Sequence, residues 1–264
     1  MTSIRLGAVA YLNARPLTYG LERRTDLFSL RYDPPSQCAV LLHAGDIDVG
    51  MIPAIEYCRG PEYRIVPGMG IISERTVASV ALFTKVPVSQ IRTIAADTSS
   101  RTSNALLRIL CRERFDIAPE FTPMPPDADA MLAAADAALI IGDPALFLDP
   151  VSKGVEKIDL GEQWTDLTGL PFVWAFWAGR PGVMTPAAVQ ALEQARDAGV
   201  ADSDAIAVAY GGPERAALGQ TYLRDNIQYL MGDREIAGVR RYYELAARHG
   251  LIQAPREPLF YPGN

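Results

Sequence analysis

The stretch TIAADTSSRTSNALLRILCRERF, residues 93–115, decides the fold. Its first five residues, TIAAD with an apolar centre, are compatible with a buried strand, and from Ala105 onward apolar residues return at helical spacing. The turn between them crowds five hydroxyl side chains, Thr98, Ser99, Ser100, Thr102 and Ser103, around Arg101. A strand running through such a turn into a helix is half of a βα unit. The free amides and dipole of the helix N-terminus, with the hydroxyls of Ser99, Ser100 and Thr102 and the charge of Arg101, make a seat for a carboxylate or phosphate. The plainer reading is that Thr98 or Ser99 caps the helix while Arg101 is solvated; the crowding of hydroxyls favours the anion seat. The G-x-x-x-x-G-K-[ST] spacing of a phosphate loop is missing, so a carboxylate is at least as good a candidate.

Working outward, the same alternation recurs. IRLGAVAYL reads as a buried strand ending at Asn13, with Pro16 at a first helical turn. Ser36 can cap a short helix over QCAVLLHAG, which Gly45 stops before the strand DIDVGMI. Downstream come EFTPM, a helix around DADAMLAAA and the strand AALIIG. Two long apolar segments, around Val77 to Thr84 and LPFVWAFWAG between Pro171 and Gly179, read as strands, and the chain after Pro186 is mainly helical. Alternating strands and helices imply an α/β fold with parallel sheet packed between helices. The expected arrangement is two lobes facing a ligand cleft: residues 1–84 and 179–264 in the first, 85–178 in the second, with hinge strands near 79–85 and 172–178. Ligands in such sheets sit beyond the carboxyl ends of the strands, here the loops at Asn13, Pro53, Asp97 and Asp143.

The 264-residue chain is 49% hydrophobic and 21% charged, as compact enzymes are, and its net charge of −6 offers no basic footprint for nucleic acid or an anionic membrane. No run of about 18 apolar residues suggests a membrane span. The opening residues lack the pattern of a secretory signal, which points to the cytoplasm. Three scattered cysteines without C-x-x-C spacing and two histidines argue against a disulfide framework or metal site, and no glycine fingerprint supports a nucleotide, so neither metal nor cofactor is expected.

Several single residues are candidates. Asn13 can donate and accept at a strand end, orienting a hydroxylated ligand, or can cap the following turn. Arg15 could clamp a carboxylate, although a surface arginine is the commoner case. Asp143, in IIGDPAL, could polarise a hydroxyl or cap the turn at Pro144. Glu56 and Asp97 are weaker carboxylate candidates, and Ser79 could reach the cleft from the hinge strand. Phe172 and Trp174 share one strand face and Trp177 the other; core packing is the stronger expectation for these rings and for Trp164. His43 and His249 read as structural.

GAVAYLNARPL, LLHAGDIDVGMIPAIEY, TIAADTSSRTSNALLRILCRERF and ALIIGDPAL, in this order, together with SVALFTK and PFVWAFWAG, resemble the menaquinone-biosynthesis family whose members include chorismate dehydratase of the futalosine pathway. The resemblance implies a fold similar to type II periplasmic binding proteins, used as a hydro-lyase that turns chorismate into 3-[(1-carboxyvinyl)oxy]benzoate and water. It places Asn13 against the reacting substrate and gives substrate binding to Ser99, Ser100, Arg101, Thr102 and Asp143. Two alternatives stand beside it. One is the sibling 1,4-dihydroxy-6-naphthoate synthase, which would call for a cleft histidine that neither His43 nor His249 supplies. The other is a non-enzymatic small-carboxylate solute-binding protein. The oligomeric state is left open.

Overall fold

The structure, a computed structural model, describes residues 3–263. The first sheet takes five strands from the N-terminal part of the chain: β1 (Ile4–Val9), β2 (Phe28–Asp33), β3 (Val49–Pro53), β4 (Arg64–Ile65) and β5 (Ile71–Ser73). The second is continuous in sequence, with β6 (Val80–Thr84), β7 (Thr93–Asp97), β8 (Glu120–Met124), β9 (Ala137–Ile141) and β10 (Glu156–Asp159). β11 (Phe172–Gly179) then returns to the first sheet. The orders are β2-β1-β3-β11-β4, with β5 also on β11, and β10-β6-β9-β7-β8. Helices α1 (Pro35–Ala44) and α2 (Glu56–Arg59) belong to the first unit; α3 (Arg101–Glu113), α4 (Ala128–Ala134), α5 (Gly142–Phe147) and α6 (Leu160–Thr168) follow strands of the second. The tail is α7 (Pro186–Ala201), α8 (Ser203–Thr221), broken in mid-course at Gly212, and α9 (Asp233–Arg248).

This is the expected α/β class, but the sheets are mixed. β1 pairs in parallel with β2 and β3, and β7 with β8 and β9. The two apolar strands expected as hinges run antiparallel to their neighbours, and each pairs wholly inside one sheet: β6 with β9 and β10, β11 with β3. A chain that crosses between sheets enters the new one in the opposite sense. The crossings themselves are the irregular segments 74–79 and the stretch from Asp159 to Phe172 that contains α6. One buried carboxylate binds both, for Asp159 accepts N–H bonds from Val77 (3.1 Å), Ala78 (2.7 Å), Gly161 (2.9 Å) and Glu162 (3.2 Å). Burial pushes the Asp159 carboxyl up and these amides oppose it. They also hold a strained crossing, since Arg75 and Ala78 have φ of 64° and 60° without being glycine.

β2 was not legible as a strand. It is an edge strand whose Arg31 and Asp33 pair with each other at 2.6 Å, the charged pattern that protects an open edge and hides the period-two signal. α1 begins at Pro35 without the side-chain cap expected from Ser36. The aromatic residues meet the core expectation: Trp164, Phe172 and Trp177 are buried, and the Phe172 ring lies 4.4 Å from Trp174 and 5.0 Å from both Trp164 and Tyr242. Across the gap between the sheets, Ser36 N–H donates to the Ser99 carbonyl (3.2 Å) and Ile55 N–H to Thr102 Oγ1 (3.3 Å).

Candidate functional site

The ends of the strands meet in a cleft of about 510 Å³ counted with the open solvent at its mouth. Asn13 enters from the 3-10 turn Leu12–Ala14 that follows β1, Pro53 from the end of β3, and Ser100, Thr102 and Ser103 from the start of α3. Ser79 and Val77 come from the first crossing, Ile141 and Gly142 from the end of β9, and Trp174 from β11. None of the lining residues carries a charged side chain. Any attraction for an anion therefore falls to the first-turn amides of α3, which precede the intrahelical bonds, and to the hydroxyls beside them.

Those hydroxyls divide their work. Ser100 is the N-cap of α3, its Oγ accepting from Ser103 N–H (3.3 Å) and donating to Ser103 Oγ (2.7 Å). Ser99 turns the other way: both its N–H (2.7 Å) and its hydroxyl (2.6 Å) donate to Asp97 Oδ1. Asp97 is fully buried, with Oδ2 unpartnered, and burial raises its carboxyl above the usual range against the Ser99 bonds. Thr102 lines the cleft, and its carbonyl accepts from Tyr242 Oη at 3.0 Å. Arg101 departs from expectation. Its Nη1 lies 2.7 Å from Glu56 Oε2 and it does not line the cleft. Glu56, 1% exposed, also receives Arg59 (3.0 Å) and meets His43 Nε2 (3.0 Å). Burial pushes the Glu56 carboxyl up, but the His43 bond and the Arg101 and Arg59 charges outweigh it and bring it down to about 2. The charge that the sequence suggested for a ligand is committed to a buried carboxylate joining α2 to α3.

Asn13 Oδ1 is buried in the cleft with no hydrogen-bond partner, while its backbone carbonyl accepts from Tyr229 Oη (3.0 Å). An orphaned amide oxygen in such a place needs a donor, and a ligand hydroxyl is one. Ser79 also lines the cleft as expected, and because its Oγ accepts from the buried Tyr222 hydroxyl (2.7 Å), its own hydrogen is free to donate. Tyr11 was not singled out from the sequence, though it stands two residues before Asn13. It lines the cleft, with its ring against Gly142: a Cβ at this glycine, whose φ is +66°, would fall 2.8 Å from the Tyr11 ring. The position after β9 thus requires glycine on two counts.

Arg15 and Asp143 do not line the cleft. Arg15 lies on the other side of the Leu12–Ala14 turn, between the rings of Tyr32 and Tyr210. Asp143 has both oxygens engaged, Oδ1 by Leu12 N–H (3.1 Å) and Oδ2 by the Tyr210 hydroxyl, so it ties α5 to the turn that carries Asn13. Burial raises its carboxyl and the Tyr210 and Leu12 bonds oppose the rise. His43 and His249 pair with Glu56 and Glu113 outside the cleft. Among the described residues no group of three or more His, Cys, Asp or Glu side chains is placed to hold a metal ion, and no helix is long and apolar enough to cross a membrane.

This architecture has known counterparts. Protein AF1704 from Archaeoglobus fulgidus superposes with a TM-score of 0.77 at 19% identity, over 95% of this chain and 99% of that one. The alkanesulfonate-binding protein SsuA from Xanthomonas axonopodis pv. citri superposes with a TM-score of 0.68 at 20% identity, over 98% and 96% of the two chains. At these identities the likeness is one of fold, that of the periplasmic binding proteins. In sequence, chorismate dehydratase of Thermus thermophilus is 29% identical over 97% of this chain and 98% of that protein. A family model described as menaquinone biosynthesis matches residues 4–248, which include every strand and the whole lining of the cleft; the chain belongs to the menaquinone biosynthesis family.

Proposed function

We propose that the protein is a chorismate dehydratase, removing water from chorismate to give 3-[(1-carboxyvinyl)oxy]benzoate. The reading rests on family membership, on similarity to the Thermus dehydratase along nearly the whole chain, and on the chemistry of the cleft. What carries it is the unpartnered Asn13 Oδ1, set in an uncharged cleft beside the N-terminus of α3. Chorismate brings the complementary groups: a ring hydroxyl for Asn13, a carboxylate for the α3 amides and the Ser100, Thr102 and Ser103 hydroxyls, and an apolar ring for Ile71, Val77 and Trp174.

In the reaction the ring carbon bearing the enolpyruvyl ether loses its proton, the C–O bond of the neighbouring carbon breaks, and the abstracted proton is passed on to the departing hydroxide so that one water leaves. The product is aromatic, so the step is strongly downhill, and orientation can supply much of the acceleration. No carboxylate of the protein lines the cleft, and Asp143 already accepts two hydrogen bonds. The enolpyruvyl carboxylate of the substrate is then the proton acceptor, and Asn13 and Ser79 hold the departing hydroxyl. Incubation of the purified protein with chorismate, followed by mass spectrometry, should show loss of one water and loss of the diene absorbance. Binding of chorismate without turnover would overturn the assignment and leave a binding protein.

A further inference from the structure

Beyond the cleft, we infer a second binding site, centred on Arg15 and suited to a small planar carboxylate. Arg15 borders an open concavity of about 1050 Å³, its mouth included, on the far side of the Leu12–Ala14 turn. The guanidinium lies over two aromatic rings, with Cζ 4.9 Å from the centroid of Tyr32 and 5.2 Å from that of Tyr210. Its Nε is buried without a hydrogen-bond partner, and Arg15 makes no ion pair among the described residues. A guanidinium carries five N–H donors, and the terminal nitrogens of Arg15 have no hydrogen-bond or ion-pair partner among the described residues, which leaves them to a ligand acceptor.

The neighbouring carboxylates have donors of their own. Glu22 accepts from Tyr32 Oη (3.1 Å), Asp202 from Tyr19 Oη (2.5 Å), and Asp143 from Leu12 N–H and the Tyr210 hydroxyl. A second arginine, Arg23, lines the same concavity and is likewise without an ion pair among the described residues. With Nε closed off, the terminal nitrogens of Arg15 are the edge offered to the concavity, a fork that matches a carboxylate in two parallel bonds. The tyrosines that hold the arginine give a flat ligand an apolar surface. Tyr210 also reaches Asp143, which holds Leu12 N–H, so the site stands one chain of hydrogen bonds from Asn13.

The test uses 4-bromobenzoate as the probe on the full chain. Crystals soaked with it should show an anomalous bromine peak in the concavity, with the carboxylate on the Arg15 terminal nitrogens. Calorimetric titration in solution should show saturable binding that weakens at least tenfold in Arg15→Gln and substantially in Arg15→Lys, which keeps the charge and loses the fork. Bromine found only in the cleft, or nowhere, overturns the proposal. So does a peak at Arg15 accompanied by unchanged solution binding in a folded Arg15→Gln protein. Because the probe is located directly, neither result depends on whether the cleft dehydrates chorismate.

Discussion

Replacing Glu56 by glutamine tests the tie between α2 and α3 most directly. The carboxylate is 1% exposed and faces His43, Arg59 and Arg101; its pKa falls from 4.5 to about 2 although burial alone would raise it. A carboxyl with a lowered folded pKa stabilises the fold above its unfolded pKa, and that contribution disappears as pH falls from about 4.5 toward about 2. A displacement of this size corresponds to about 3 kcal/mol at neutral pH. Arg59 and Arg101 are 37% and 34% exposed, so water recovers part of their loss in the variant. Glu56→Gln should therefore cost about 2–3 kcal/mol at pH 7. Urea denaturation of both proteins between pH 3 and pH 7, followed by circular dichroism and tryptophan fluorescence, measures the difference. It should hold nearly constant down to pH 5 and shrink by about half by pH 3. A difference that stays the same across the whole range would refute the reasoning, because it would come from packing and not from the charge.

Asn13→Ala should lower the turnover of chorismate by about 100-fold, with a much smaller change in its binding, since the amide acts on the departing hydroxyl; steady-state kinetics separate the two. Asp143→Asn should keep most of the turnover and lose about 1–2 kcal/mol of stability, because its oxygens serve Leu12 and Tyr210; complete inactivation with chorismate binding intact would make Asp143 the base. Asp159→Ala orphans the amides of Val77, Ala78, Gly161 and Glu162 and should destabilise by about 2–4 kcal/mol. Hydrogen exchange at residues 74–79 should quicken in the same variant.

Much of this molecule is local and therefore legible. Continuous apolar runs mark β1, β3, β7 and β9, which are buried on both faces, and apolar residues at helical spacing mark α3. Hydroxyls next to a helix start announce the N-terminus of α3, since capping acts over three residues; the cap is Ser100, one position beyond the nearest expected residue. Asn13 and Ser79 reach the cleft because strand ends in such sheets converge there. The ordered motifs carry family membership, which the match over residues 4–248 bears out.

The partners of charged side chains were decided only by tertiary structure. Arg101 meets Glu56, 45 residues earlier, and Asp143 meets Leu12, 131 residues earlier, contacts that no local pattern encodes. The same holds for the crossings between sheets, where strand pairing, set by which edges remain open, assigns β6 to one sheet and β11 to the other. Sequence by itself determined the buried strands β1, β3, β7 and β9 and where α3 begins, because propensity, capping and periodicity act within a few residues. Tertiary structure alone decided that Arg101 pairs with Glu56 and stays out of the cleft lining, because a guanidinium goes to the buried carboxylate that folding brings to it.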